Sequence, residues 1–217
     1  MNCTLCDGPR VQLFWEKIEH PLGERKYFSC DDCGLIFVPP NYFLSAMAEM
    51  ERYSSHQNSP EQEGYVNFLS RLIQPLKTRL KKPGVGLDYG CGPGPTLSKL
   101  LQSLGHHVVN YDPYFFPQDV ALNRTFDFIT CTEVAEHFYR PRKEFIKLRS
   151  MLKKQTPVLG LMTEILSTPA QFPGWYYHRD PTHVSFYQPQ TIEWIANFLA
   201  LKITHLEKNV IIMEALE

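Results

Sequence analysis

The spacing of apolar residues changes along the chain, and the changes divide it. VQLFWEKIEH and KYFS flank Pro21-Leu22-Gly23 and read as two short strands around a turn. Val38-Pro39-Pro40 stops that pattern, because successive prolines cannot continue a paired strand. Tyr42 to Tyr53 reads as a short helix, and Ser54 to Pro60, SSHQNSP, as a polar break. Ser59-Pro60-Glu61-Gln62 has the form of a capping box with proline at the first helical position. Behind it Tyr65, Phe68, Leu69, Leu72 and Leu76 recur at helical spacing, and Pro75 is expected to kink or end that helix.

From Val85 the pattern becomes strand, turn, helix. Val85 to Tyr89 is a short apolar strand, and Leu97, Leu100, Leu101 and Leu104 mark one face of a helix that stops at Gly105. Strands follow at His107 to Tyr111, Phe126 to Thr130 and Val158 to Met162. Pro141 opens a helix carrying Phe145, Leu148 and Leu152, with Lys153 and Lys154 suited to its C-terminal dipole. Thr191 to Leu201 is a further helix, and Ile203 to Leu206 with Val210 to Met213 forms a closing hairpin. This alternation predicts an α/β fold with a doubly wound, mostly parallel sheet.

Composition narrows the partners. The chain has 217 residues, 43% hydrophobic and 21% charged, with a net charge of −1. That length holds one full domain plus a small appendage, and the balance gives no global reason to expect a nucleic acid. No apolar run reaches the ~18–20 residues of a membrane helix. MNCTLCDGPR lacks the apolar stretch of a signal peptide, so a cytoplasmic location without a membrane partner is expected.

Four of the six cysteines form a pattern: Cys3-x-x-Cys6, 23 residues, then Cys30-x-x-Cys33. Each pair presents two thiolates from one short loop, and two pairs complete a tetrahedral Zn²⁺ site with Zn–S near ~2.3 Å. Four thiolates leave no open position, so the expected zinc is structural. A zinc ribbon over residues 1–40 is expected, then a helical lead-in over 41–82 and an α/β domain over 83–217. Cys91 and Cys131 follow apolar runs and read as packing residues.

GLDYGCGPGPT, Gly86 to Thr96, brings bare backbone to a turn after the first strand of that domain. A dinucleotide fingerprint fails because Pro95 stands where its last glycine belongs, and the chain has no Gly-Lys-Ser/Thr for a P-loop. What remains is Asp88-x-Gly90-x-Gly92-x-Gly94.

LDYGCGPG resembles the first motif of class I S-adenosylmethionine (SAM) dependent methyltransferases, and FDFITCTEVAEHF resembles their fourth-strand motif, known from ubiquinone-type O-methyltransferases. The CxxC pairs with GLIFVPP, together with ERYSSHQN and FPGWYYHRDPTHVSFY, are similar to a zinc-ribbon subset that includes deoxysugar C-methyltransferases. The resemblance implies a SAM site at Asp88, Gly90, Gly92, Gly94, Asp112 and Glu133, with Tyr53 and His56 folding over the cofactor. Asp112 lies 18 residues past Gly94, where that family places an acid on the ribose hydroxyls. The physics agrees: SAM carries no phosphate and needs no lysine cradle, while two hydroxyl donors suit one carboxylate. The chain departs from the pattern between Asp112 and Phe126, where 13 residues leave little room for the usual helix and third strand. The family's adenine contact has no clear counterpart there; Tyr114, Phe115 and Phe116 are either its substitutes or core.

Methyl transfer needs in-line alignment, and a base only where the acceptor must lose a proton. The candidates are His137, after the third of these strands, and His183, in an aromatic loop within 168–188 read as an acceptor-binding lid. The expected activity is methylation of a small-molecule or saccharide-type acceptor. The alternatives are an RNA or protein methyltransferase that docks through its ribbon and the basic Arg140 to Lys154 helix, and an inactive SAM-binding scaffold.

Overall fold

The computed structural model describes residues 1–216 except 21–22, 55–58 and 60, with the backbone alone at 19 and 20. His56 therefore lies outside the described residues. The chain begins with strands β1 (Val11–His20), β2 (Gly23–Cys30) and β3 (Ile36–Phe37), then helices α1 (Ala46–Ser54) and α2 (Glu63–Arg79). There follow β4 (Val85–Tyr89), α3 (Thr96–Ser103), β5 (His107–Tyr111), β6 (Phe128–Thr132), α4 (Pro141–Ser150) and β7 (Val158–Met162). A two-residue strand β8 (Ser185–Phe186), α5 (Pro189–Phe198), β9 (Leu201–Glu207) and β10 (Val210–Ala215) complete it.

Six strands form the main sheet in the order β5-β4-β6-β7-β10-β9. β10 runs antiparallel to both neighbours, and the pairs β4–β5, β4–β6 and β6–β7 are parallel. Side chains alternate between the two faces, as the pleat requires. Leu87, Ile129, Leu159, Leu161, Ile211 and Met213 join one core with Phe145, Leu148, Ile192 and Ile195 of α4 and α5. Phe128, Val158, Met162 and Ile212 join the opposite core with Leu69, Leu72, Leu76, Leu97 and Leu101 of α2 and α3. Helices on both faces explain why β7 reads as an unbroken apolar run, VLGLM.

Several boundaries differ from the sequence reading; α1 starts at Ala46 rather than Tyr42, and β6 at Phe128 rather than Phe126. α2 begins at Glu63 rather than behind Pro60, because the Gln62 carbonyl accepts the first amides, from Tyr65 and Val66. It also passes through Pro75 to Arg79. The buried stripe of Leu69, Leu72, Ile73 and Leu76 spans the proline and outweighs one missing ladder bond. α5 starts at Pro189, where Gln188 and Thr191 make a capping box. Between Asp112 and Phe126 there is a short 3₁₀ turn, Asp119–Asn123, and no strand, so β5 is the sheet edge.

A second sheet has the order β1-β2-β3-β8. Ile36 and Phe37 of β3 pair with Phe186 and Ser185. The N-terminal hairpin thus takes its fourth strand from the far end of the chain. Tyr27, Ile36, Val38, Phe172, Tyr177 and Phe186 form a third core beneath it.

Candidate functional site

Beyond the carboxyl ends of β4, β5 and β6 the chain encloses a cavity of about 800 Å³. This is the crevice where open α/β sheets take ligands, and its volume is in the range of small-molecule sites. The glycine turn makes one wall. Gly90 has φ +77° and donates its amide to the Tyr111 carbonyl at 2.7 Å, and a Cβ there would collide with the Val134 side chain. Gly92 has φ +65°. Both line the cavity, whereas Gly94 does not; its carbonyl accepts the Thr96 amide at 2.7 Å at the start of α3.

Two acids stand behind and beside the turn. Asp88 is buried, accepting hydrogen bonds from Thr130 Oγ1 at 3.0 Å and Ser98 Oγ at 3.1 Å. Burial pushes its carboxyl up to about 6, against those two hydrogen bonds. Asp112, 8% exposed, accepts the Gly92 amide at 3.0 Å on one oxygen, and the Tyr114 and Phe115 amides at 2.8 and 3.0 Å on the other. Three amides leave part of the carboxylate's accepting capacity to the cavity. Tyr114 and Phe115 line the cavity; Phe116 instead bridges back to Asp112.

The segment after β6 makes the opposite wall. Glu133 has φ +53°, and burial, with Glu136 and Glu164 nearby, pushes its carboxyl up to about 9. Glu136 is fully buried and accepts from Thr163 Oγ1 at 2.9 Å. Among the described residues, one carboxyl oxygen of Glu133 and one of Glu136 are buried without a hydrogen-bond partner. His137 and His183 meet edge to face, with ring centroids 4.9 Å apart. His137 Nδ1 is 3.1 Å from the Thr182 carbonyl and His183 Nδ1 is 2.7 Å from that of Tyr177. A carbonyl only accepts, so both Nδ1 atoms carry a proton, and a neutral ring leaves its Nε2 as an acceptor. Glu136, His137 and His183 each present an atom within 4.8 Å of the others. Burial, reinforced by His137, pulls His183 down to about 4 against the opposing pull of Glu136 and Asp180.

Of the residues expected from the sequence, Asp88, Gly90, Gly92, Asp112, Glu133, His137, His183 and Tyr53 line one cavity. The Tyr53 ring lies 5.1 Å from that of His137. Sequence reasoning missed Glu49, whose carboxylate accepts from Tyr53 at 3.3 Å and Tyr114 at 2.8 Å. Tyr65 and Phe68, read from the sequence as part of the helical repeat of α2, pack against the core and also face the cavity. His178 is not part of the wall; it stacks on Phe172 in the ribbon's aromatic core.

The four ribbon cysteines converge. Their sulfurs lie within 4.8 Å of one another, with Cys3 to Cys33 at 3.5 Å and Cys6 to Cys30 at 3.4 Å. Four thiolates on one Zn²⁺ at ~2.3 Å stand about 3.8 Å apart, so the set fits that ion. The amides of Leu5 and Gly8 donate to Cys3 and Cys6 sulfur at 3.4 and 3.3 Å. Asp7 and Gly34, each following the second cysteine of its pair, both take positive φ. The basic helix spends much of its charge internally. Arg142 pairs with Asp7 at 2.8 Å, Lys147 lies 5.1 Å from the Tyr111 ring centroid, and Arg149 donates to the Leu199 carbonyl.

A mostly parallel, doubly wound sheet with a glycine turn, an acid at the next strand end and a cavity between them defines a methyltransferase of the α/β, SAM-dependent class. The family described as a methyltransferase domain matches residues 61–206, and the chain belongs to it. Among solved structures, the chain is similar to the PH0226 protein of Pyrococcus horikoshii OT3. That likeness has 16% identity and a TM-score of 0.51, covering 76% of this chain and 97% of that one. It is also similar to the 1,6-didemethyltoxoflavin-N1-methyltransferase of Burkholderia thailandensis, whose structure holds 1,6-didemethyltoxoflavin and S-adenosylhomocysteine. Here the identity is 12% and the TM-score 0.53, covering 84% and 96%. Likeness at these identities is one of fold. No curated protein matches the chain. Among the described residues no helix is long and apolar enough to cross a membrane.

Proposed function

We propose that the enzyme methylates a small-molecule or saccharide-type acceptor, with SAM held on the glycine-turn side of the cavity and the acceptor on the histidine side. The observation that carries this reading is the single cavity bounded by Gly90, Gly92 and Asp112 at one wall and by Glu136, His137 and His183 at the other. When bound, SAM supplies an electrophilic methyl group on a sulfonium. Gly90 and Gly92 let the main chain approach the cofactor without a Cβ. Asp112 directs its remaining lone pairs at the ribose hydroxyls, and Glu133 turns its unpartnered oxygen to the cofactor's ammonium group. Asp88 supports the turn from behind. Tyr65, Phe68 and Phe115 supply apolar and aromatic walls for the purine, and Tyr53 covers the site.

On the acceptor side, His183 is neutral at pH 7 and offers Nε2 to an acceptor hydroxyl or other acidic proton. Glu136 stabilises the positive charge that the imidazole takes on with that proton, and His137 orients the acceptor beside it. The Zn²⁺ held by Cys3, Cys6, Cys30 and Cys33 acts on the fold alone.

The test is a panel of hydroxylated and saccharide-type metabolites incubated with enzyme and SAM, reading S-adenosylhomocysteine release. Turnover on a panel member supports the reading. Turnover confined to RNA or protein, or none on any acceptor while S-adenosylhomocysteine binds, overturns it.

A further inference from the structure

We propose that Arg25 is a positioning residue of the acceptor site. From the ribbon hairpin it fixes the main chain of the loop that carries His183, so the ribbon sets how both imidazoles are presented while cofactor binding stays independent of it. The inference rests on the reading of His183 as an acceptor-side group.

The ribbon and the loop are built into one another. β8, which begins two residues after His183, is the fourth strand of the ribbon sheet, and the Val38 amide donates to the Val184 carbonyl at 2.9 Å. Phe14, Trp15 and Tyr27 pack against Phe172, with ring centroids 5.2, 5.6 and 5.0 Å apart. Such apolar contact holds the loop down but is non-directional and sets no register for individual carbonyls.

The β3–β8 ladder fixes residues 184–186, and Arg25 carries that register back to the carbonyls of 181–183. Its side chain comes from β2 and is 1% exposed. Nη1 donates to the Pro181 carbonyl at 3.2 Å, and Nη2 to the His183 carbonyl at 2.7 Å. The carbonyl between them, that of Thr182, is the one that accepts from His137 Nδ1. Three successive carbonyls are thus held by one guanidinium and one imidazole, and the planar fork of arginine suits a pair of fixed acceptors. Asp180 closes the loop from the other side, accepting from the Thr182 amide and hydroxyl and from Arg52. Arg25 also contacts the Tyr27 ring, whose centroid lies 5.7 Å from the guanidinium carbon. Its Nε is buried without a partner, and no ion pair to it is formed among the described residues. A buried cation compensated by carbonyls and one ring, with no carboxylate pair, is a poor stabiliser, so what it contributes is geometry.

Histidine-¹⁵N-labelled, zinc-loaded enzyme tests this without any acceptor. Long-range ¹H–¹⁵N spectra across pH read the tautomer and titration of each ring, with His183→Gln assigning the His183 signal. The groups facing that ring are Glu136, His137, Asp180 and the Tyr177 side chain and carbonyl. In the native enzyme His183 is expected as a single Nδ1–H tautomer that titrates far below 6.5. In Arg25→Met, zinc content and S-adenosylhomocysteine affinity are expected to stay within about twofold, while both rings lose the single tautomer and the His183 midpoint moves up toward 6.5. Arg25→Lys, able to hold one carbonyl, should fall between. If Arg25→Met does not fold, Arg25→Lys decides alone. Unchanged ring signals in a folded, zinc-bound variant overturn the proposal, and so does a fall in S-adenosylhomocysteine affinity parallel to the ring changes. Failure of the native enzyme to bind S-adenosylhomocysteine would sink the donor reading and leave this result standing.

Discussion

The rings of His137 and His183 meet edge to face at 4.9 Å, each with its Nδ1 on a carbonyl of the 176–183 segment. The protons are therefore placed away from the cavity. Burial holds His183 near 4, below the ~6.5 of an exposed ring, so the unfolded chain protonates first as pH falls. Stability tied to the neutral ring is present above pH 6.5 and is lost between about 6.5 and 4. His183→Gln is expected to flatten that part of the stability curve, read by thermal melts at successive pH values. A curve as steep as the native one contradicts the assignment.

Glu133 has the opposite sign. Its folded value is pushed up to about 9, so its contribution is complete below the unfolded value near ~4.3 and declines as pH rises through 9. Glu133→Gln should raise the stability of the cofactor-free protein at pH 8 by roughly 1–2 kcal/mol, since folding no longer has to protonate a carboxylate that is ionised in the unfolded chain. The same variant should bind SAM more weakly, because the ammonium partner is gone. Melts and calorimetry on one preparation check both signs.

Asp112→Ala removes the acceptor of three amides and the proposed ribose contact together. SAM affinity is expected to fall more than tenfold, with a stability loss of about 1–3 kcal/mol from unsatisfied turn amides. A dissociation constant within twofold of native would remove Asp112 from the cofactor site.

Metal analysis of the native protein should give one zinc per chain. Cys30→Ser should release it and loosen both the ribbon and the 172–186 segment, since β8 belongs to the ribbon sheet. Limited proteolysis locates that loosening. Full zinc occupancy in Cys30→Ser contradicts the four-thiolate site.

What the sequence makes legible here is local. The CxxC pairs, the glycine turn and the apolar strands β4, β6 and β7 each act through neighbours in the chain, so spacing alone reports them. Asp112 is readable because it ends the next strand, in a fixed relation to the turn. Glu49 and Arg25 leave no such trace. Glu49 meets Tyr53 one helical turn on, but its closer partner Tyr114 and Arg25's partners, the carbonyls of Pro181 and His183, are set by tertiary packing with no periodic signature. β8 is two residues long and too short for alternation to show. Pro75 misleads because a local rule about proline yields to a buried stripe that only the sheet completes.

Isothermal calorimetry with S-adenosylhomocysteine tests the central claim most directly. The account predicts one site per chain, saturable in the micromolar range or tighter and lost with Asp112→Ala. No heat of binding from folded, zinc-loaded protein with either S-adenosylhomocysteine or SAM would contradict it.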